Sequence, residues 1–208
     1  MPEYFEHSID LYYLWASTGH YHWLERGVFN GFALKRDGAL LELCCGDGFY
    51  TKNFYNAISK KIIACDFDHI AIKRARITNK TNKIKFVVAD IRKEIPDGIY
   101  DNIIMDQAIE HFTLSEIGVI LKEIKARLDT NGIFSGSTIV ERADGKKQLD
   151  YHEYEYKNKS DLMSVLKPFF KNVFIIQTDH PNCQYLYFFA SDSCLPFSQN
   201  STNIMISS

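Results

Sequence analysis

The chain has 208 residues, 46% of them hydrophobic and 24% charged, with a formal net charge of −2. That length suits one domain with a proper core, and the near-neutral balance leaves no broad basic field for duplex nucleic acid, which is disfavoured as a partner. No N-terminal stretch joins basic residues, an apolar core and a small-residue cleavage site, and no apolar run reaches membrane-spanning length, so no membrane partner is expected.

Residues 4–32 are dense in aromatics, and Ser17, Thr18 and Gly19 interrupt them, which predicts two helical stretches around a turn. Two roles suit these rings. They pin helices to the edge of the domain, or they form a lid in which Tyr13, Trp15 and His20 face a substrate.

From residue 39 apolar runs alternate with amphipathic ones. The runs "ALLELC", "KIIAC" (61–65), "IKFVVA" (84–89), "YDNIIM" (100–105) and "GIFSGSTI" (132–139) are too uniformly apolar to have a wet face. They predict a parallel sheet covered on both sides. The intervening "LSEIGVILKEIKARL" carries Ile117, Ile120, Leu121, Ile124 and Leu128 at helical spacing, with Asn131-Gly132 as its expected stop. "NVFIIQT" (172–178) and "CQYLYFFA" (183–190) are separated by a turn too short for a crossover helix, so they are expected to pair antiparallel.

The five cysteines, Cys44, Cys45, Cys65, Cys183 and Cys194, are odd in number and match no zinc spacing. They read as small buried hydrophobes of a reducing, cytoplasmic compartment.

Ligands of an open parallel sheet bind beyond the carboxyl ends of its strands. Gly46 and Gly48 follow the first strand in "ELCCGDGF", where glycine lets backbone approach a ligand closely. Glu42 precedes that loop; its carboxylate would repel a pyrophosphate but suits an ammonium group. Asp66 ends the second strand, where an acid accepts hydrogen bonds from a ribose diol. Asp90 follows the third, where an acid accepts from an adenine amine. A dinucleotide fits poorly, because Thr51 stands where a third glycine is required and Glu42 has the wrong charge. The plainer alternative is a turn with three strand-end acids that cap helices.

This pattern resembles the class I S-adenosylmethionine-dependent methyltransferases over about residues 35–190. Their acid-x-Gly-x-Gly-x-Gly loop aligns with residues 42–48, and Cys44 stands in the first glycine's place, so its backbone is expected to stay where an ordinary residue is comfortable. The resemblance implies an α/β fold: a Rossmann-like, seven-stranded, mostly parallel sheet with a C-terminal antiparallel hairpin and helices on both faces. It implies S-adenosyl-L-methionine as cofactor, with Asp66 on the ribose, Phe67 against the adenine, and Asp90 with Ile91 framing its edge. Glu42, Cys44, Gly46, Gly48, Asp106 and Gln107 complete the cofactor-binding set. The whole chain then reads as one domain: a helical lid (1–34), a core (35–190) and a tail (191–208).

For the methyl acceptor, "MDQAIEHF" (105–112) lies at the same rim. Gln107, Glu110 and His111 share one face of any helical turn. His111 is a candidate general base, with Glu110 orienting it. The segment also looks like the Glu-x-x-Glu-His metal cluster of small-RNA terminal ribose methyltransferases and some quinone-biosynthesis O-methyltransferases, with Gln107 replacing the first Glu and His152 as the remaining ligand. A divalent metal is the less favoured alternative, and a histidine satisfied by its surroundings is the plain one. "LDYHEYEYKNKSDL" (149–162) either forms an amphipathic strand or lines the acceptor pocket with His152, Glu153 and Tyr154. The favoured function is methyl transfer to a small molecule, on oxygen, in polysaccharide or specialised-metabolite biosynthesis. The alternatives are an RNA or protein methyltransferase, or a non-catalytic cofactor-binding partner subunit.

Overall fold

The structure is a computed structural model that describes residues 17–19, 22–180 and 183–196. Seven strands form one sheet: β1 (Ala39–Leu43), β2 (Lys61–Asp66), β3 (Ile84–Val88), β4 (Tyr100–Asp106), β5 (Leu128–Ile139), β6 (Asn172–His180) and β7 (Cys183–Ser191). Their order is β3-β2-β1-β4-β5-β7-β6. The first five pair parallel, and β7 runs antiparallel to both β5 and β6. The strand order reverses between β1 and β4, which puts a topological switch point next to the glycine loop.

Strand alternation assigns the two faces. Leu41, Leu43, Ile103, Met105, Phe134, Leu186 and Phe188 face one layer. That layer holds α3 (Leu114–Arg127) and α4 (Lys159–Leu166). Leu40, Ile62, Ala64 and Ile104 face the other, against Tyr55 and against Ile72 and Ala75 of α2 (His69–Thr78). Further along that face, Phe29 of α1 (His22–Gly31) and Phe32 just beyond it pack with Tyr187 and Phe189. Buried Asn102 fixes the chain after α1 to β4, donating to the Ala33 carbonyl and accepting from the Lys35 amide, both at 2.8 Å.

The helix of 114–127 forms as its pattern predicts, and Thr113 and Glu116 close a reciprocal capping box at its start. Its end differs from the expectation. Leu128 already has extended backbone (φ −77°, ψ 136°), so Asn131-Gly132 lies inside β5 and does not stop the helix. After Gly48 the chain makes only a short π-helical turn, Thr51–Tyr55, closed by the Asn56 amide on the Thr51 carbonyl at 2.9 Å. The Arg76 guanidinium donates to the Phe86 carbonyl at 2.8 Å and ties α2 to the β3 edge. At the C-terminal end, Ser191 is buried in β7 and Leu195 packs on the cluster around Tyr187, so the core extends past residue 190. All five cysteines are free, and among the described residues no helix is long and apolar enough to cross a membrane.

Candidate active site

Two cavities open at the carboxyl ends of β1, β2 and β4. The larger, about 490 Å³, is lined by Asp66, Phe67, Asp90, Ile91, His111 and Tyr151 among others. The smaller, about 360 Å³, is lined by Trp23, Arg26, Glu42, Gly46, Tyr50 and Asp106 among others. Cys44 and Gln107 line both. Asp66 and Asp90 face the larger cavity and Glu42 the smaller, and the two adjoin at Cys44 and Gln107.

The loop between the cavities is bent by backbone, and Asp66 holds the bend. Its carboxylate accepts from the Gly46 amide and the Asp68 amide, both at 2.9 Å, while Asp68 caps α2 through the Ile70 amide. Gly48 has φ +74°, and a Cβ there would meet the Phe86 ring at 2.4 Å, so only glycine fits. Cys44 corrects the expectation made for it. Its φ is +57°, in the left-handed region, and Gln107 is there too at +47°. Non-glycine residues in that region cost about 1–2 kcal/mol each and concentrate at functional sites. Of the three described non-glycine residues with positive φ, Asp37, Cys44 and Gln107, the last two line both cavities.

Glu42 is 3% exposed, and its Oε2 is buried without a hydrogen-bond partner. Burial pushes its carboxyl up to about 8, with Asp106 and Asp66 adding to the shift. Glu42 contributes to the wall of the smaller cavity, and Thr51 holds its pKa back from rising further. Asp106 is different, because its partners are within the protein. It accepts from Arg26 (Nη2, 2.7 Å), from Asn30 (2.7 Å) and from Ser137. Gln107 donates to the Ser137 hydroxyl at 3.1 Å. Phe67 is 66% exposed at the mouth of the larger cavity, Ile91 is buried, and Asp90 pairs with Arg92 at 3.0 Å.

A second cluster forms where the 3₁₀ turn Ile109–His111 meets the segment after β5. Glu110, His111 and His152 each bring one donor atom into a set lying within 4.8 Å of one another. Glu110 is buried and accepts from Thr138 at 2.9 Å; burial holds its carboxyl up at about 7. The His111 ring stacks on Tyr151 (5.4 Å between centroids) and meets His152 edge-on at 4.8 Å. Burial, then the neighbouring His152, holds its pKa below the ordinary histidine value, so the ring is neutral and able to accept a proton at pH 7. His152 Nδ1 lies 2.5 Å from the Glu155 carboxylate, and both side chains are 2% exposed. That contact leaves Nε2 as the nitrogen available to the cluster. The Glu110 carbonyl accepts both the Glu153 amide (2.8 Å) and the Tyr154 amide (3.1 Å), which pins the segment to the turn. Two imidazoles and a carboxylate suit a first-row transition ion.

Glu153 is exposed and lines neither cavity. Tyr154 also lines neither and gives its hydroxyl to Asp161 at 3.0 Å. Tyr13, Trp15 and His20 lie outside the described residues. The sequence reading missed Arg26, Asn30, Thr138 and Glu155. Only Glu155 had a local signal, the three-residue spacing from His152 in "HEYE".

The sequence matches the family described as "Methyltransferase domain" over residues 40–132, the stretch that runs from β1 through the glycine loop and the Glu110–His111 turn into β5. Over that stretch the chain is similar to a methyltransferase domain, and its seven-stranded sheet has the Rossmann-like methyltransferase fold. No curated protein matches in sequence. The fold is similar to that of the N-methyltransferase NodS from Bradyrhizobium japonicum WM9, with TM-score 0.66, 16% identity, 81% of this chain and 96% of NodS covered. It is also similar to DhpI in its SAH complex, with TM-score 0.63, 15% identity, and 82% and 83% of the two chains covered. Both cavities of this methyltransferase lie where the open-sheet rule places ligands.

Proposed function

We propose that this methyltransferase transfers the methyl group to a hydroxyl of a small molecule, in polysaccharide or specialised-metabolite biosynthesis, with His111 as general base. The observation that carries the reading is His111 on the wall of the larger cavity, with donor atoms of Glu110 and His152 gathered within 4.8 Å of one another and of it. In this reading the nucleoside of the donor occupies the larger cavity. Asp66 takes the ribose, Phe67 lies against the adenine, and Asp90 with Ile91 frames its edge. Glu42 faces the amino group, and the sulfur sits near Cys44 and Gln107, where the two cavities meet. A hydroxyl must lose its proton as it attacks the methyl carbon, and His111 accepts it. Alignment and exclusion of water supply the rest of the acceleration. Tyr151, stacked on His111, walls the acceptor side.

A second reading is favoured by the three clustered donors of Glu110, His111 and His152. A divalent ion held there would supply acidification of the acceptor hydroxyl. The five free cysteines support a reducing, cytoplasmic setting, and the continuous sheet supports one domain; most of the segment expected as a lid lies outside the described residues. Nitrogen is the competing acceptor class, since NodS is an N-methyltransferase.

The test is methyl transfer from CD3-labelled S-adenosylmethionine to a panel of polyols, phenols and amines, read by mass spectrometry with and without chelator. Labelled ethers support the reading, and labelled amines alone overturn it. Loss of ether formation on chelation selects the metal version.

A further inference from the structure

We infer that the outer face of α2 docks on an anionic lipid bilayer, with Lys73 and Arg74 on the headgroups and Ile70 and Ile77 inserted between them. Nine of the chain's 24 lysines and arginines lie between residues 52 and 85, against two of its 26 acids. A chain of net charge −2 therefore carries one strongly positive stretch, which folds as the π-helical turn, β2, α2 and most of β3. Both of its acids are committed to backbone, Asp66 to the Gly46 and Asp68 amides and Asp68 to the Ile70 amide. Some of its cations are committed as well: Lys52 donates to the Thr78 carbonyl at 3.1 Å, and Arg76 to Phe86. Among the described residues Lys73, Lys80 and Lys85 make neither an ion pair nor a side-chain hydrogen bond, and Arg74 makes only a 3.9 Å contact with Asp47.

Helical spacing sorts the residues of α2. Ile72 and Ala75 are buried against the sheet. That turns Ile70, Lys73, Arg74 and Ile77, at i, i+3, i+4 and i+7, towards solvent. Ile70 is 66% exposed and Ile77 72%, and exposed Phe67 and Val88 belong to the same corner of the molecule. A single exposed isoleucine needs no explanation, but large apolar side chains interleaved with unpaired cations on one face do. Such a face suits a peripheral membrane contact, in which cations meet lipid phosphates while aliphatic side chains bury at the acyl boundary. Single-stranded RNA would require stacking rings on this face, and isoleucine supplies none. The expectation of no membrane partner follows from spanning length alone, and a surface contact needs no span. One residue, Asp68, separates α2 from Phe67 at the mouth of the larger cavity, so docking brings that mouth beside the headgroups.

Co-sedimentation of the full chain with vesicles tests this, using phosphatidylcholine alone and an equal mixture with phosphatidylglycerol, at about 0.05 M and about 0.5 M salt. Wild type is expected to partition at least about tenfold more strongly onto the mixed vesicles and to lose that preference at the higher salt. Lys73→Glu/Arg74→Glu should remove the preference, and Ile70→Ser/Ile77→Ser should weaken low-salt binding about tenfold. All four positions are exposed, so thermal midpoints should match wild type. Equal retention of wild type on the two vesicle types, or none on either, overturns the inference without recourse to any variant. Unchanged retention of Ile70→Ser/Ile77→Ser overturns it too, because the face would then be a general anion field that oligouridylate occupies equally well. A wild-type dimer in light scattering that these substitutions dissociate, with no retention on vesicles, also overturns it and makes a second copy the occupant.

Discussion

The two buried glutamates of the site, one on each side of the Cys44–Gln107 junction, are handled differently. Burial lifts both carboxyls, Glu42 to about 8 and Glu110 to about 7. Glu42 keeps an oxygen with no partner, whereas Glu110 has its oxygen engaged by Thr138 and lies beside two imidazoles. Glu42 is thus left without a full set of partners, and in the proposed reading it is the ammonium of the donor that faces it. Glu110 instead belongs to a connected polar cluster with Thr138 and the two imidazoles.

The comparison breaks most visibly at His111. His111→Ala is expected to lower kcat on an oxygen acceptor by about a hundredfold to ten-thousandfold while leaving S-adenosylhomocysteine affinity unchanged in calorimetry. Full activity in that variant would remove both the base and the metal roles from the cluster.

Glu42→Gln comes next and acts on the opposite side. Cofactor affinity should fall about tenfold to a hundredfold, the scale of a charge-assisted hydrogen bond. The native fold keeps a proton on Glu42 that the unfolded chain releases near the ordinary value of 4.5. This contribution to stability is therefore complete below that value and is lost as pH rises towards about 8. Relative to wild type, the ligand-free Glu42→Gln protein should gain about 1–3 kcal/mol across that window, read from urea midpoints at several pH values. An ionised Glu42 is also the form that receives an ammonium, so wild-type affinity should rise between about pH 6 and about pH 8. A flat profile would detach Glu42 from the ligand.

Asp66→Ala sharpens the donor side further. It should weaken cofactor binding by about 1–3 kcal/mol, and unchanged affinity would exclude Asp66 from the ribose. The smallest effect is expected from Cys44→Gly. It relieves left-handed backbone but gives up a packed side chain, so the midpoint should move by less than about 1 kcal/mol with binding retained. A loss of binding would mean that the cysteine side chain itself shapes the junction.

The same contrast explains what the sequence revealed. The parallel strands, their antiparallel finish and the strand-end acids were legible because period-two and helical patterns, glycine and carboxylates lie within a few residues of one another. The left-handed Cys44 was not, since nothing in "ELCCGDG" says which residue takes the turn when a glycine is replaced. Arg26 was invisible for another reason: it reaches Asp106 across 80 positions of sequence, and only the packing of α1 on the sheet brings them together. Ser137 and Thr138 looked like ordinary strand residues until β5 set them beside Asp106 and Glu110. The end of the 114–127 helix was misplaced because Asn-Gly is a strong local stop, yet pairing of Leu128 with Tyr100 draws the chain into the sheet earlier.

The double acceptance of the Glu153 and Tyr154 amides by one carbonyl has an evolutionary corollary. A peptide-to-peptide anchor is indifferent to side-chain identity. Exposed Tyr151, which lines the larger cavity, is therefore free to vary while the segment and His152 stay anchored to the Glu110 turn. Such an enzyme can diversify its substrates without rebuilding its chemistry.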